Sequence, residues 1–141
     1  MVNFGMLGAA VVLGLAAIGS SIGLGIAGQA TIGAWKRCYM NNKPAPFLLV
    51  AFAGAPLTQT IYGFLLMNTM KESQKDPWFL LGFGIAAGAA IGMSAIAQGK
   101  ASASGSDALG ETGKGFSQYI TIVGLCETVA LFTMVFGMIS V

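Results

Sequence analysis

The sequence contains no histidine, only two cysteines and a small share of charged residues. Charged side chains make up 9% of its 141 residues, whereas hydrophobic residues make up 55%. So few charges could not cover the surface of a water-soluble domain. The formal net charge of +2 is also too small to favour a nucleic-acid partner. We therefore expect a protein whose solvent is the lipid bilayer.

The two cysteines, Cys38 and Cys126, lack the spacing of a metal centre. Cys126 lies in an apolar run, and we interpret it as a small packing residue. The N-terminus lacks the basic residues of a secretory signal, and its apolar stretch exceeds the usual hydrophobic region of about 7–15 residues. We therefore expect a retained first membrane helix.

Four apolar segments are long enough to cross a bilayer, which takes about 20 residues. They cover approximately residues 4–35, 46–70, 78–107 and 116–141, and their connections hold most of the charges. The segments are too long for membrane strands and do not alternate apolar with polar residues. The sequence therefore predicts an all-α membrane protein with four transmembrane helices.

The two halves of the chain resemble each other. The segment TQTIYGF, residues 58–64, aligns with CETVALF, residues 126–132. This repeat predicts two tandem homologous helical hairpins, residues 1–72 and 73–141. Each hairpin contains two of the four membrane helices.

Glycines spaced four residues apart mark the first and third spans: Gly19, Gly23, Gly84, Gly88 and Gly92. Small residues one turn apart let helices approach closely in lipid. We expect these two spans to pack tightly and to line an inner ring, with the second and fourth spans outside. Close packing within a single bundle would explain the glycines equally well.

Glu127 is the only charged side chain between Tyr119 and Val141. Burial of an ionised carboxylate at mid-membrane costs at least about 2.5–3.5 kcal/mol. At a rise of about 1.5 Å per residue, Gln59 and Gln98 fall at the same depth as Glu127. The carboxylate must stay protonated or be paired with a cation, and we find no lysine, arginine or histidine at this depth in the sequence.

Hydroxyl groups are predicted to lie near this carboxylate. Thr58 and Thr128 adjoin Gln59 and Glu127, and Tyr62 lies on the same helix face as Gln59. One carboxylate with several neutral oxygens suits a hard monovalent cation. A structural alternative is a protonated Glu127 that hydrogen-bonds between helices, which contributes about 0.6–2 kcal/mol.

Three motifs carry a resemblance to a known family. PLTQTIYGF, AIAQGKA and ETVAL occupy residues 56–64, 95–101 and 127–131. In this order and at matching depth, they resemble the proteolipid ring subunit of V-type ATPases, the c or K subunit, and most closely its bacterial sodium-translocating form. The resemblance covers essentially the whole chain.

The resemblance implies an ion site with these ligands: Glu127, Gln98, Gln59, Thr58 and the backbone carbonyl of Ala55. It also implies that Tyr62 hydrogen-bonds the carboxylate and closes the site. One departure is Leu57, where the family pattern has a glycine. This change removes no ligand.

The resemblance further implies partners and a mechanism. Copies of the chain form a ring in the membrane and rotate against a stator subunit that supplies an essential arginine. Other subunits hydrolyse ATP and turn the ring through a central stalk at the loops 36–45 and 108–115. The chain itself is then a non-catalytic ion carrier, in contact with lipid and with no organic cofactor. One carboxylate per four helices favours a pump over a synthase.

The distribution of lysine and arginine predicts the orientation. The first and third connections with their flanks carry five basic residues, and the middle connection carries two. Both termini should therefore lie outside, with the loops 36–45 and 108–115 in the cytoplasm. The sodium-type motif favours a bacterial plasma membrane.

Three alternatives differ in function. The first keeps the rotor subunit and exchanges Na⁺ for H⁺, which needs only Glu127 in an apolar setting. The second is a small drug/proton antiporter in which Glu127 alternately binds a proton and a cationic substrate. The third is a structural membrane scaffold, in which Glu127→Gln would leave transport intact.

Overall fold

A computed structural model describes residues 3–141, which form five α-helices and one short 3-10 turn and contain no strand. The elements are α1 (Phe4–Met40), α2 (Leu49–Gly54), the 3-10 turn (Ala55–Leu57), α3 (Thr58–Glu72), α4 (Pro77–Thr112) and α5 (Phe116–Ser140). The segment from α2 to α3 is continuous enough to count as one span. Together with α1, α4 and α5, it gives four helices long and apolar enough to cross a membrane. The predicted all-α architecture with four spans is confirmed, and residues 1 and 2 of the predicted first hairpin lie outside the described residues.

Capping residues and glycines define the ends of the helices. The Asn3 side chain accepts a hydrogen bond at the start of α1, and the Asp76 carboxylate accepts two at the start of α4. Gly113 and Gly115 adopt positive φ angles of 68° and 88° between α4 and α5. Glycine occupies such a conformation without steric cost, so these two positions permit a tight turn.

Pro56 interrupts the second span. It lies in the 3-10 turn between α2 and α3. Proline has no N–H and cannot donate to the carbonyl one α-helical turn earlier, so the helix tightens locally. Thr58 and Gln59 follow directly, at the start of α3.

Glycines bring α1 and α4 into backbone contact. A Cβ atom at Gly19 would overlap the backbone of Gly92, and one at Gly99 would overlap the backbone of Gly23. The same is true for Gly84 against Gly8 near the other end. Since residue numbers increase together along both helices, α1 and α4 run parallel. Gly88 also packs against α1, where a Cβ would meet Val12.

The remaining helices form a second layer against this pair. A Cβ at Gly63 on α3 would meet the Ala16 side chain of α1, and one at Gly137 on α5 would meet Leu66 of α3. The outer faces carry large exposed apolar residues, among them Ile61 and Val129. Such a surface requires lipid or another apolar partner. The molecule is therefore an integral membrane protein.

We predict that Gly19→Ala destabilises the helix pair by about 1–3 kcal/mol, because the added methyl group must displace backbone rather than a flexible side chain. Gly33→Ala is the matched control on α1, since a Cβ there meets nothing within 4 Å. The control should be neutral or gain up to about 1 kcal/mol from helix propensity. Unfolding in mixed detergents measures both, and equal stability of the two variants would contradict close packing at Gly19.

Candidate functional site

The carboxylate of Glu127 on α5 accepts hydrogen bonds from two other helices. The hydroxyl of Tyr62 on α3 donates to Oε1 at 2.5 Å. The side-chain amide of Gln98 on α4 donates to Oε2 at 3.1 Å. Hydrogen bonds to an ionised group are stronger than those between neutral groups. Both oxygens of the carboxylate are thus held, one by each neighbouring helix.

Two glutamines form the buried side of the site. Gln59 and Gln98 are 0% and 1% exposed, and Gln59 Nε2 donates to Gln98 Oε1 at 2.7 Å. Gln98 Nε2 also donates to the carbonyl of Val123, one turn before Glu127, at 3.1 Å. A continuous chain of hydrogen bonds therefore runs from Gln59 through Gln98 to the carboxylate.

Three oxygens gather where the 3-10 turn meets α3, and we call them the oxygen cluster. They are the carbonyl of Ala55, the hydroxyl of Thr58 and the amide oxygen of Gln59. Thr58 Oγ1 lies 3.2 Å from the first and 3.3 Å from the third, and can donate to either. Each of the three is neutral, and each has an oxygen lone pair that can bind a cation.

The structure brings together Glu127, Gln98, Gln59, Thr58, Tyr62 and the Ala55 carbonyl, the residues singled out from the sequence. It does not include Thr128. The Thr128 hydroxyl donates to the carbonyl of Leu125 on its own helix at 2.8 Å and makes no hydrogen bond to the carboxylate. A helical threonine readily bonds the preceding turn in this way.

Leu57, which stands where the family pattern has a glycine, lies away from the site. The Leu57 side chain is 55% exposed in the 3-10 turn and belongs to the apolar outer face. The departure therefore leaves the oxygen cluster intact.

Sequence reasoning missed three features that support the site. The Val123 carbonyl holds Gln98, and Ser94 Oγ donates to the Cys126 carbonyl at 2.6 Å, which fixes α4 against α5 beside Glu127. The third is the 3-10 turn at Pro56. A proline inside an apolar span was the available signal for this turn, whereas backbone acceptors have no sequence signature.

No basic residue in the described part of the chain forms an ion pair with Glu127. The ion pair found in residues 3–141 joins Arg37 and Asp107, at the far ends of α1 and α4. Lys100 follows Gln98 by only two residues, about 3 Å along the helix axis. Its side chain is exposed. Two residues along a helix point to different faces. The same residues contain no cluster of three or more His, Cys, Asp or Glu side chains able to hold a metal.

The fold and this site define a four-span membrane protein with one carboxylate held between helices by neutral hydrogen-bonding groups. The family of the ATP synthase C subunit matches residues 81–140, which cover most of α4 and all of α5. An A-type ATP synthase subunit K from Methanocaldococcus jannaschii is 33% identical over 138 residues, or 96% of this chain. The chain spans about 60% of the length of that relative.

The chain is therefore similar to the ATP synthase C subunit family over α5 and most of α4, and to an A-type ATP synthase subunit K over nearly its whole length. These comparisons support the resemblance to the c/K proteolipids found in the sequence. Glu127 lies inside the segment that matches the family, and Gln98 does as well.

We predict that Gln59→Leu destabilises the chain by about 1–2 kcal/mol, because the buried Gln98 Oε1 loses its hydrogen-bond donor. Gln29→Leu makes the same chemical change at an exposed position of α1 and should have little effect. Detergent unfolding of the two variants measures the difference. A Gln59→Leu chain as stable as the Gln29→Leu chain would show that the glutamine pair contributes nothing to the fold.

Proposed function

We propose that this chain is a rotor-ring subunit that carries Na⁺ across the membrane on Glu127. The observation that supports this best is the oxygen cluster beside a single carboxylate. Hard cations prefer carboxylate, carbonyl and other oxygen ligands. One carboxylate among neutral groups balances one monovalent charge.

The oxygen cluster offers a cation several neutral ligands close together. Thr58 Oγ1 lies 3.2 and 3.3 Å from its two neighbours in the cluster.

The hydrogen bonds at Glu127 favour a carboxylate rather than a carboxylic acid. Both oxygens accept, one from Tyr62 and one from Gln98. A proton-loaded acid must donate, and the side-chain oxygen that the structure places within hydrogen-bond distance of the carboxylate, that of Tyr62, itself donates to it. Proton loading would therefore reverse that bond, whereas a bound cation leaves it in place.

We assign to Na⁺ the ligands Glu127, Gln98, Gln59, Thr58 and the Ala55 carbonyl. Tyr62 holds the carboxylate and closes the site toward the outer face. That face is apolar, so the site must be neutral while it faces lipid during rotation, because an ionised carboxylate there has a high free-energy cost. Na⁺ on Glu127 supplies this neutrality, and a stator arginine would replace the ion at the point of release.

The proposed partners follow the same scheme. Copies of the chain complete the ring, a stator subunit supplies the arginine, and a central stalk driven by ATP hydrolysis contacts the loops 36–45 and 108–115. We place these loops in the cytoplasm of a bacterial cell with both termini outside, because five basic residues flank them. Their helix ends are joined by the Arg37–Asp107 ion pair.

Carbodiimide labelling tests the bound ion, because the reagent attacks a protonated carboxyl group. We predict that millimolar Na⁺ slows labelling of Glu127 at mildly acidic pH, while equal K⁺ does not. Glu127→Gln should abolish labelling and ATP-driven Na⁺ transport with ring assembly retained. Glu72→Gln, at the exposed end of α3 and outside the proposed stalk contact, is the matched control and should keep both. If Na⁺ does not affect labelling, we would assign H⁺ rather than Na⁺ as the carried ion. Transport by the Glu127→Gln ring would exclude Glu127 as an ion carrier.

Removal of one neutral oxygen should weaken sodium binding specifically. We predict that Thr58→Val raises the Na⁺ concentration for half-protection of Glu127 about tenfold, which corresponds to about 1.4 kcal/mol. Thr58→Ser keeps the hydroxyl and should stay within about threefold of the unmodified ring. If the valine and serine variants bind Na⁺ equally, Thr58 is not a ligand.

A further inference from the structure

Two buried hydroxyls, those of Ser20 and Ser102, have no hydrogen-bond partner among residues 3–141. Other buried hydroxyls are paired: Ser106 bonds Thr31, and Ser94 bonds a backbone carbonyl. Ser20 is 2% exposed and lies on α1, the one long helix that contributes nothing to the site around Glu127. A buried polar group without a partner has a cost, so its position requires an explanation.

The packing of α1 against the second span fixes the level of Ser20. Gly63 lies against Ala16, and Pro56 lies against Gly23. Ser20 follows Ala16 by four residues and precedes Gly23 by three. Gln59 precedes Gly63 by four residues and follows Pro56 by three. In this antiparallel register, Ser20 and Gln59 occupy the same level on facing helices.

The Gln59 amide has one hydrogen without an acceptor, and Ser20 offers an acceptor at the same level. Its oxygen lies beside the Thr58 hydroxyl, and one of its two amide hydrogens goes to Gln98. The described residues provide no acceptor for the second hydrogen. A serine hydroxyl offers two lone pairs. A donor without an acceptor and an acceptor without a donor therefore lie at the same level of the core, and the structure records no bond between them.

We propose that Ser20 is a positioning residue for the ion site: when Na⁺ occupies the site, the Ser20 hydroxyl, unpartnered in this structure, accepts the second amide hydrogen of Gln59. This bond holds the amide nitrogen of Gln59 toward α1 and its oxygen toward Thr58 and the Ala55 carbonyl. Without it, the amide can turn and present N–H groups to the cation. The inference rests on the proposed function, because it assigns the orientation of one ligand in that site.

Ser20→Ala tests the role of the hydroxyl. The Na⁺ concentration for half-protection of Glu127 should rise about three- to tenfold. Ser21→Ala is the matched control, since Ser21 is exposed and donates to the Ile18 carbonyl of its own helix. In a Gln59→Leu background, Ser20→Ala should add no further change, because a positioning residue acts only through the group that it positions.

A disulfide tests the register without reference to any ion. In a chain with Cys38 and Cys126 replaced by alanine, the pair Ser20→Cys and Gln59→Cys should form a bond under oxidation within one chain. The pair Ser21→Cys and Gln59→Cys should not, because its side chains point apart.

The outcomes separate the inference from the proposed function. A Ser20→Ala ring that binds Na⁺ like the Ser21→Ala ring overturns the inference, as does failure of the 20–59 disulfide. An equal loss in the Gln59→Leu background also overturns it and shows a general packing effect. If Na⁺ does not protect Glu127 from labelling in the unmodified ring, this result contradicts the proposed function but not the inference about Ser20. The inference is then decided by the disulfide and by labelling without Na⁺, where Ser20→Ala must change the rate at least threefold and Ser21→Ala must not.

Discussion

The carboxylate of Glu127 must find every hydrogen-bond partner inside the protein, because the lipid around it can supply none. This one constraint accounts for the arrangement of the other helices. Tyr62 arrives from α3 and Gln98 from α4, and each takes one oxygen. Gln98 in turn needs a donor for its own buried oxygen, and Gln59 provides it. The site is thus a chain of hydrogen-bonded polar groups. Each buried group that is added requires a further hydrogen-bond partner, which the next group provides.

Close approach of backbones makes such a set possible in so small a chain. The glycines at the α1–α4 contact remove the side chains that would hold these helices apart, so Gln98 lies in the centre rather than at a surface. Pro56 has the complementary effect in the second span. It interrupts the α-helix with a 3-10 turn, and the Ala55 carbonyl and the Thr58 hydroxyl of the oxygen cluster lie in that turn and directly after it. The glycines, which lack a side chain, and Pro56, which lacks an N–H, therefore both shape the surroundings of the site.

The sequence predicts the parts of this structure that depend on helical geometry alone. A fixed rise per residue puts Gln59, Gln98 and Glu127 at one depth, and the structure joins them by hydrogen bonds. Depth along the helix does not give the direction of a side chain: Thr128 adjoins Glu127 in the chain, yet its hydroxyl turns back to the Leu125 carbonyl of its own helix. The 3-10 turn and the level of Ser20 were not predicted either. Both depend on how two helices meet, and pairwise register is a property of the packed molecule.

The inward position of Gln59 has a consequence for the predicted repeat. On the predicted alignment Gln59 is the counterpart of Glu127, yet it is wholly buried and bonded to Gln98, whereas Glu127 is only partly buried beside the outer face. Position 59 therefore supports Glu127 through Gln98. A carboxylate at position 59 would compete with Glu127 for the amide of Gln98 and would place a second ionised group on the buried side of the site. The two positions that the alignment pairs are thus not interchangeable.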